Sequence, residues 1–427
     1  MQLLQQVRII DPVQQVDRLA DVLIIDGKIK LIHDQITDYP AQASIIKPQG
    51  LVLGTGLVDL YSHSSDPGNE TRETLLELSQ AAAMGGFTQI GILPDTIPAI
   101  DSAEVIAAVK HKGDRLKRDY NRSTSLSHLP RLNFWGSAYS QSEQKMNALA
   151  ELEPEIVGFT TQHNLSNLHL FKQILEYVQP GQKPVAIALH QNELAAGVVR
   201  EGNASIRYGM SGNPGFSEAA IIAAVLEIVA EIPTLVHIMR VSTKRGVELI
   251  ADAKARGVKV SASTTWMHLL WDSDAIGSYN PNLRLEPPLG NESDRIALVD
   301  GVRQGIIDAI AIDHQAYTYE EKTVAFALAP PGVVGLELAL ALLWQKFVKS
   351  GAWSAIELWQ ALSSRPRQCI QQHPIAIASE QAIDLVLFDP EKKWLANQDN
   401  LKSPAANTPW YNQEITGKVI RTMNNEQ

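Results

Sequence analysis

At 427 residues the chain exceeds one ordinary domain and suits a large domain with a smaller one beside it. A composition that is 45% hydrophobic and 20% charged excludes a disordered chain, and a net charge of −10 with scattered Lys and Arg argues against nucleic acid as a partner. The single cysteine, Cys369, excludes an internal disulfide and any Cys-based zinc cluster.

Residues 1–55 contain alternating stretches such as DVLIIDGKIKLI (21–32), where Asp26-Gly27 has the chemistry of a two-residue hairpin turn. Eight short apolar runs follow: GLVDLY (56–61), FTQIGILP (87–94), LNFWGSA (132–138), IVGFT (156–160), VAIALH (185–190), TLVHIM (234–239), VKVSAS (258–263) and DAIAID (308–313). Each is rich in Val, Ile and Ala, as strands buried on both faces require. Helical stretches separate them, including 71–86, 102–120 and 243–257, the last ending on Gly257 as a C-terminal cap. This alternation predicts a closed parallel (β/α)8 barrel. An open doubly wound sheet is the alternative, although no Gly-x-Gly-x-x-Gly turn follows the first strand. The runs IDLVLFDPEKKWL (383–395) and GKVIRTM (417–423) have strand character again, so both termini are expected to share a sheet beside the barrel. No run reaches the roughly 18 apolar residues of a membrane span, and the first residues lack a signal-peptide pattern. A cytoplasmic protein without membrane association is the expectation.

The segments 56–102, HQNELAAGVVREG (190–202), HIMRVSTKRGVELIADAKARG (237–257), 281–314, PPGVVGLELAL (330–340), IDLVLFDP (383–390) and NTPW (407–410) together resemble the bacterial dihydroorotases of the amidohydrolase superfamily. The resemblance implies a barrel over 56–365 and a composite β-sandwich from 1–55 and 366–427. Members open a cyclic amide with zinc-activated water, and a carboxylate at the last strand moves the proton.

Taken position by position, the resemblance leaves little of that centre. Tyr61 stands at the first ligand position of the His-x-His pair and Ser65 at the substrate arginine, so only His63 remains. After the fourth strand Thr161 stands where a bridging acid belongs, and His163 reads as a loop residue. His190 is retained, whereas Arg240 replaces the ligand histidine of the sixth strand and His237 reads as a packed or hydrogen-bonded residue facing away from the site. Asp313 is the retained catalytic carboxylate. Asp95, Glu286 and Tyr317 replace substrate contacts, and the two acids are expected to repel an anionic substrate. His63, His190 and Asp313 are thus the remnant metal candidates. Arg240, an obligate cation, is expected to pair with Asp313 where zinc would sit.

Three functions compete. The first is a non-catalytic homologue, without cofactor, acting as a structural or regulatory partner of aspartate carbamoyltransferase. Inactive family members associate with that enzyme, and a homo- or hetero-oligomer follows. The second is an active dihydroorotase or other cyclic amidohydrolase with one zinc in the remnant site. The third is a metal-free small-molecule binder, for which Trp266 and Met267 either line an apolar mouth or pack internally.

Overall fold

The computed structural model describes residues 1–46, 50–123, 128–140, 145–161, 167–189 and 194–424. His163 and His190 lie outside the described residues. Eight parallel strands are hydrogen-bonded in chain order: Leu57–Ser62, Phe87–Ile92, Arg131–Ser137, Gly158–Thr160, Val185–Ala188, Val236–Met239, Val260–Thr265 and Ala309–Ala311. They are numbered here as barrel strands 1 to 8.

The ring closes between strands 8 and 1. The Asp313 N–H donates to the Tyr61 carbonyl at 3.2 Å, and the His63 N–H donates to the His314 carbonyl at 2.8 Å. Asp59 adds a side-chain rung, its carboxylate accepting from the Ile312 N–H at 2.7 Å. That rung explains why strand 8 stops at Ala311 although the apolar run continues to Asp313. Strand 7 runs further than its pattern suggests, because Thr264 and Thr265 are β-branched and fit the pleat. Sequential strand order and the closing contacts exclude the open doubly wound sheet.

Val58, Trp135, Ala186, Met239 and Ala309, from five different strands, pack together within the barrel. Cys369 packs into the same cluster. Helices outside the strands begin where capping chemistry dictates. Helix Leu75–Met84 starts at Thr74, whose hydroxyl and Glu77 form a reciprocal capping box. Helix Lys244–Ala255 starts at Thr243, and Gly257 beyond it has φ of +81°.

The terminal strands form one seven-stranded sheet in the order Glu414–Asn424, Asp384–Leu395, Val52–Thr55, Gln2–Asp11, Val16–Ile25, Lys28–His33, with Ser44–Ile46 also on Gln2–Asp11. Alternation decides its faces. Ile10, Val52, Val386 and Phe388 join the barrel core, while Ile9, Leu53, Leu385 and Leu387 join a smaller core of their own. Asp26 and Gly27 both have positive φ, as the predicted hairpin turn needs. Among the described residues no helix is long and apolar enough to cross a membrane.

Candidate functional site

Side chains from the C-terminal ends of strands 1, 2, 6 and 8 meet at the barrel mouth. Arg240 and Asp313 both hold left-handed backbone, with φ of +55° and +53°, which costs a residue with a Cβ about 1 kcal/mol or more. Their side chains face each other in a two-pronged pair: Nε donates to Oδ2 at 2.8 Å and Nη2 to Oδ1 at 2.5 Å. The pair expected from the sequence is present. His63 lies against it, Nε2 being 3.1 Å from Arg240 Nη2 and 3.4 Å from Asp313 Oδ1. On its other edge the His63 Nδ1–H donates to Asp95.

Four ionisable groups therefore share one site. Burial would raise the Asp313 carboxyl, but Arg240 and His63 outweigh it and hold the group well below the usual carboxylate range. Burial likewise opposes the charged His63 ring, yet Asp95 and Asp313 push it up to about 9. A neutral ring would accept from Arg240 Nη2, whereas the imidazolium donates to Asp313. The carboxylates decide for the imidazolium, because the quartet then carries two charges of each sign. Since the folded value lies above the unfolded 6.5, this stabilisation is complete below pH 6.5 and vanishes as pH rises through about 9. The urea midpoint of the wild type is expected to fall between pH 7 and 10, and His63→Gln should flatten that decline. An equal decline in both proteins would contradict the assignment.

Tyr61 is fully buried, and burial with the nearby Asp313 charge pushes its phenol up, so it stays protonated. It accepts the Arg240 backbone N–H at 3.1 Å and pairs with Ser263 Oγ at 2.8 Å. Ser263 in turn meets His237 Nε2 at 2.9 Å, and His237 Nδ1 meets Ser261 Oγ at 2.9 Å. Burial pushes His237 down to about 3, so the ring is neutral. As expected from the sequence, His237 is packed and hydrogen-bonded and does not line the mouth cavity, and Ser263 links it to Tyr61 beneath the site. Neither Tyr61 nor His237 is presented as a ligand.

The remaining predicted positions are accounted for individually. Thr161 is buried at the end of strand 4, and its hydroxyl has no hydrogen-bond partner among the described residues. The Ser65 carbonyl accepts from the Asn69 N–H at 2.6 Å, and Ser65 does not line the mouth cavity. Tyr317 lines it, with its hydroxyl donating to the Pro331 carbonyl at 3.1 Å and the Arg72 guanidinium 4.9 Å from the ring centre. Glu286 pairs with Arg284 at 3.2 Å. Asp95 and Glu286 are thus paired anions, which corrects the expectation of simple repulsion. The role of Asp95 was not readable locally. The available signal was that equivalent loop positions after adjacent strands 1 and 2 lie side by side. Trp266 is fully buried and stacks on Trp410 at 5.2 Å, and Met267 is also buried, so both pack internally.

The cavity measures about 240 Å³, and its lining includes His63, Asp95, Arg200, Arg240, Asp313 and Glu286. Among the described residues no group of three His, Cys, Asp or Glu side chains is arranged to hold a metal ion. Arg240 engages both Asp313 oxygens, so the described donors do not fit the zinc that the family resemblance implies.

The architecture, an eight-stranded parallel barrel with a sheet built from both termini, is shared with solved hydantoinase and dihydropyrimidinase structures. L-hydantoinase (dihydropyrimidinase) from Arthrobacter aurescens superposes with a TM-score of 0.82 at 19% identity, covering 100% of this chain and 97% of that one. Dihydropyrimidinase from Brevibacillus agri superposes at 0.79 and 18% identity, covering 98% and 92%. Within that architecture the chain belongs to the dihydroorotase family. It is 31% identical to the dihydroorotase of Syntrophus aciditrophicus, over 99% of this chain and 97% of the relative. It is 38% identical to a probable dihydroorotase-like protein of Synechocystis sp., over 97% and 98%. No family model matches the chain.

Proposed function

We propose that this member of the dihydroorotase family does not hydrolyse cyclic amides and serves as a structural or regulatory partner of aspartate carbamoyltransferase in pyrimidine biosynthesis. The observation that carries the reading is the two-pronged Arg240–Asp313 pair. A carboxylate held well below its usual range is a poor proton acceptor near neutral pH, so Asp313 lacks the property that the family's proton shuttle needs. A fixed guanidinium beside it opposes a divalent ion. The fold, in contrast, is complete from the barrel to the terminal sheet, which supports a role exerted through surface. The partner comes from the family resemblance alone.

The second reading is a hydrolase with one metal ion. It is supported by His63 and Asp313, which still line a cavity large enough for a small ring. One experiment separates them: zinc content of protein purified without chelator, with dihydroorotate turnover followed in both directions. The first reading expects less than about 0.1 zinc per chain and no activity on adding metal. Turnover restored by zinc would overturn it. Copurification with aspartate carbamoyltransferase tests the partner.

A further inference from the structure

We propose that a second copy of this chain packs against the outer face of helices Gly215–Glu231 and Lys244–Ala255, the two copies running antiparallel about a two-fold axis.

These helices follow strands 5 and 6 and lie side by side outside the barrel. A helix on the outside of a barrel sets an apolar stripe inward and a polar face outward. Helix Lys244–Ala255 obeys this, exposing Lys244, Arg245, Glu248 and Asp252. Helix Leu168–Val178 obeys it too, exposing Lys172, Gln173 and Glu176. Helix Gly215–Glu231 does not. Its stretch AAIIAAVL (219–226) carries no polar side chain on either face, the pattern of a helix covered on both sides. Ile221, Ile222, Val225 and Leu226 are buried inward, but Ala220 and Phe216 face solvent, Phe216 being 63% exposed. Ala223 and Leu249 line a shallow groove between the two helices. The apolar helix Leu75–Met84, in contrast, is packed beneath the terminal strand Glu414–Asn424.

The charges at the two ends of this face identify what covers it. Both helices return from parallel strands and so run in the same direction. Lys244 and Arg245 stand at the starting end, whereas Glu227, Glu231 and Asp252 lie toward the far end, with Arg256 among them. Phe216 and Glu227 are separated by about 16 Å along the helix. A two-fold axis between them sets each basic end against the acidic end of the other copy. It also lays each Phe216 on the apolar surface of the other helix. An isologous contact requires one self-complementary patch, and charges divided in this way supply it. Within one chain Arg245 pairs with Glu248 at 2.9 Å and Arg256 with Glu227 at 3.2 Å. Both pairs are exposed, so exchanging them for pairs across the interface costs little. Two chains of net charge −10 repel overall, which favours the one orientation that matches opposite ends.

Sedimentation velocity of the full chain at about 20 µM, well above a micromolar dissociation constant, tests this. Wild type is expected to sediment as a dimer. Ala220→Glu sets two like charges close to the axis and should raise the dissociation constant about a hundredfold, giving a monomer. Lys244→Glu with Arg245→Glu makes both ends acidic, and Glu227→Lys with Glu231→Lys makes both ends basic. Each of these double variants should be monomeric alone, and their equimolar mixture should dimerise. The mixture carries its own control, because a misfolded variant could not regain the dimer. A monomeric wild type would leave this face to a different protein and overturn the proposal. A dimer that survives Ala220→Glu, or a mixture of folded double variants that stays monomeric, would overturn it equally. Zinc content and dihydroorotate turnover are decided separately from all of these outcomes.

Discussion

Arg240→Met is expected to lower the unfolding free energy by about 3 kcal/mol at pH 7, because it strands a largely buried carboxylate. The two side chains are 12% and 18% exposed, so solvent screens their interaction only weakly. After the substitution Asp313 keeps His63 Nε2 at 3.4 Å, which limits the loss to the lower end of the range for broken buried pairs. Methionine also carries a Cβ, so the left-handed backbone at position 240 costs the same in both proteins. The difference therefore reads the side chain. Arg240→Gly would relieve that backbone cost and mask part of the effect.

The pH dependence identifies the cause. Asp313 has a folded value below its unfolded 3.8, so its contribution is present above about pH 4 and is lost as pH falls through the folded value. Without Arg240 that depression is mostly removed. The gap between wild type and Arg240→Met should narrow as urea midpoints are followed from pH 7 to 3. A constant gap would mean that lost packing, and not the ion pair, is responsible.

The barrel was legible because its strands are buried on both faces and read as unbroken apolar runs. All eight runs overlap a strand, and the offsets have local causes such as the Asp59 rung onto Ile312. The Asp26-Gly27 turn was legible because I′ geometry admits few residue pairs. Arg240 opposite Asp313 was legible from charge and position alone. The role of Asp95 and the hydrogen-bond partner of His237 were not. Each depends on a partner that the closed ring brings close, 32 residues away for Asp95 and 26 for the Ser263 link to His237. Strand periodicity reports burial along one element and carries no record of which loops converge at the mouth.

That convergence depends on a second buried pair outside the quartet. His314 follows Asp313 directly, and both His314 and Glu73 are 1% exposed. The Gly335 N–H donates to His314 Nδ1 at 3.2 Å, so Nε2 carries the proton and donates to Glu73 at 3.1 Å. The ring thereby ties the loop after strand 8 to both 335–336 and the segment before helix Leu75–Met84. His314→Leu is expected to cost about 3 to 5 kcal/mol, leaving an unpaired buried carboxylate and two backbone N–H groups without acceptors. Glu73→Leu alone should cost less, because the His314 ring then loses one acceptor and no ion is stranded. The double variant should be more stable than the sum of the single losses predicts, since no carboxylate remains to be buried unpaired. Additive losses in urea unfolding would show that the two side chains act independently.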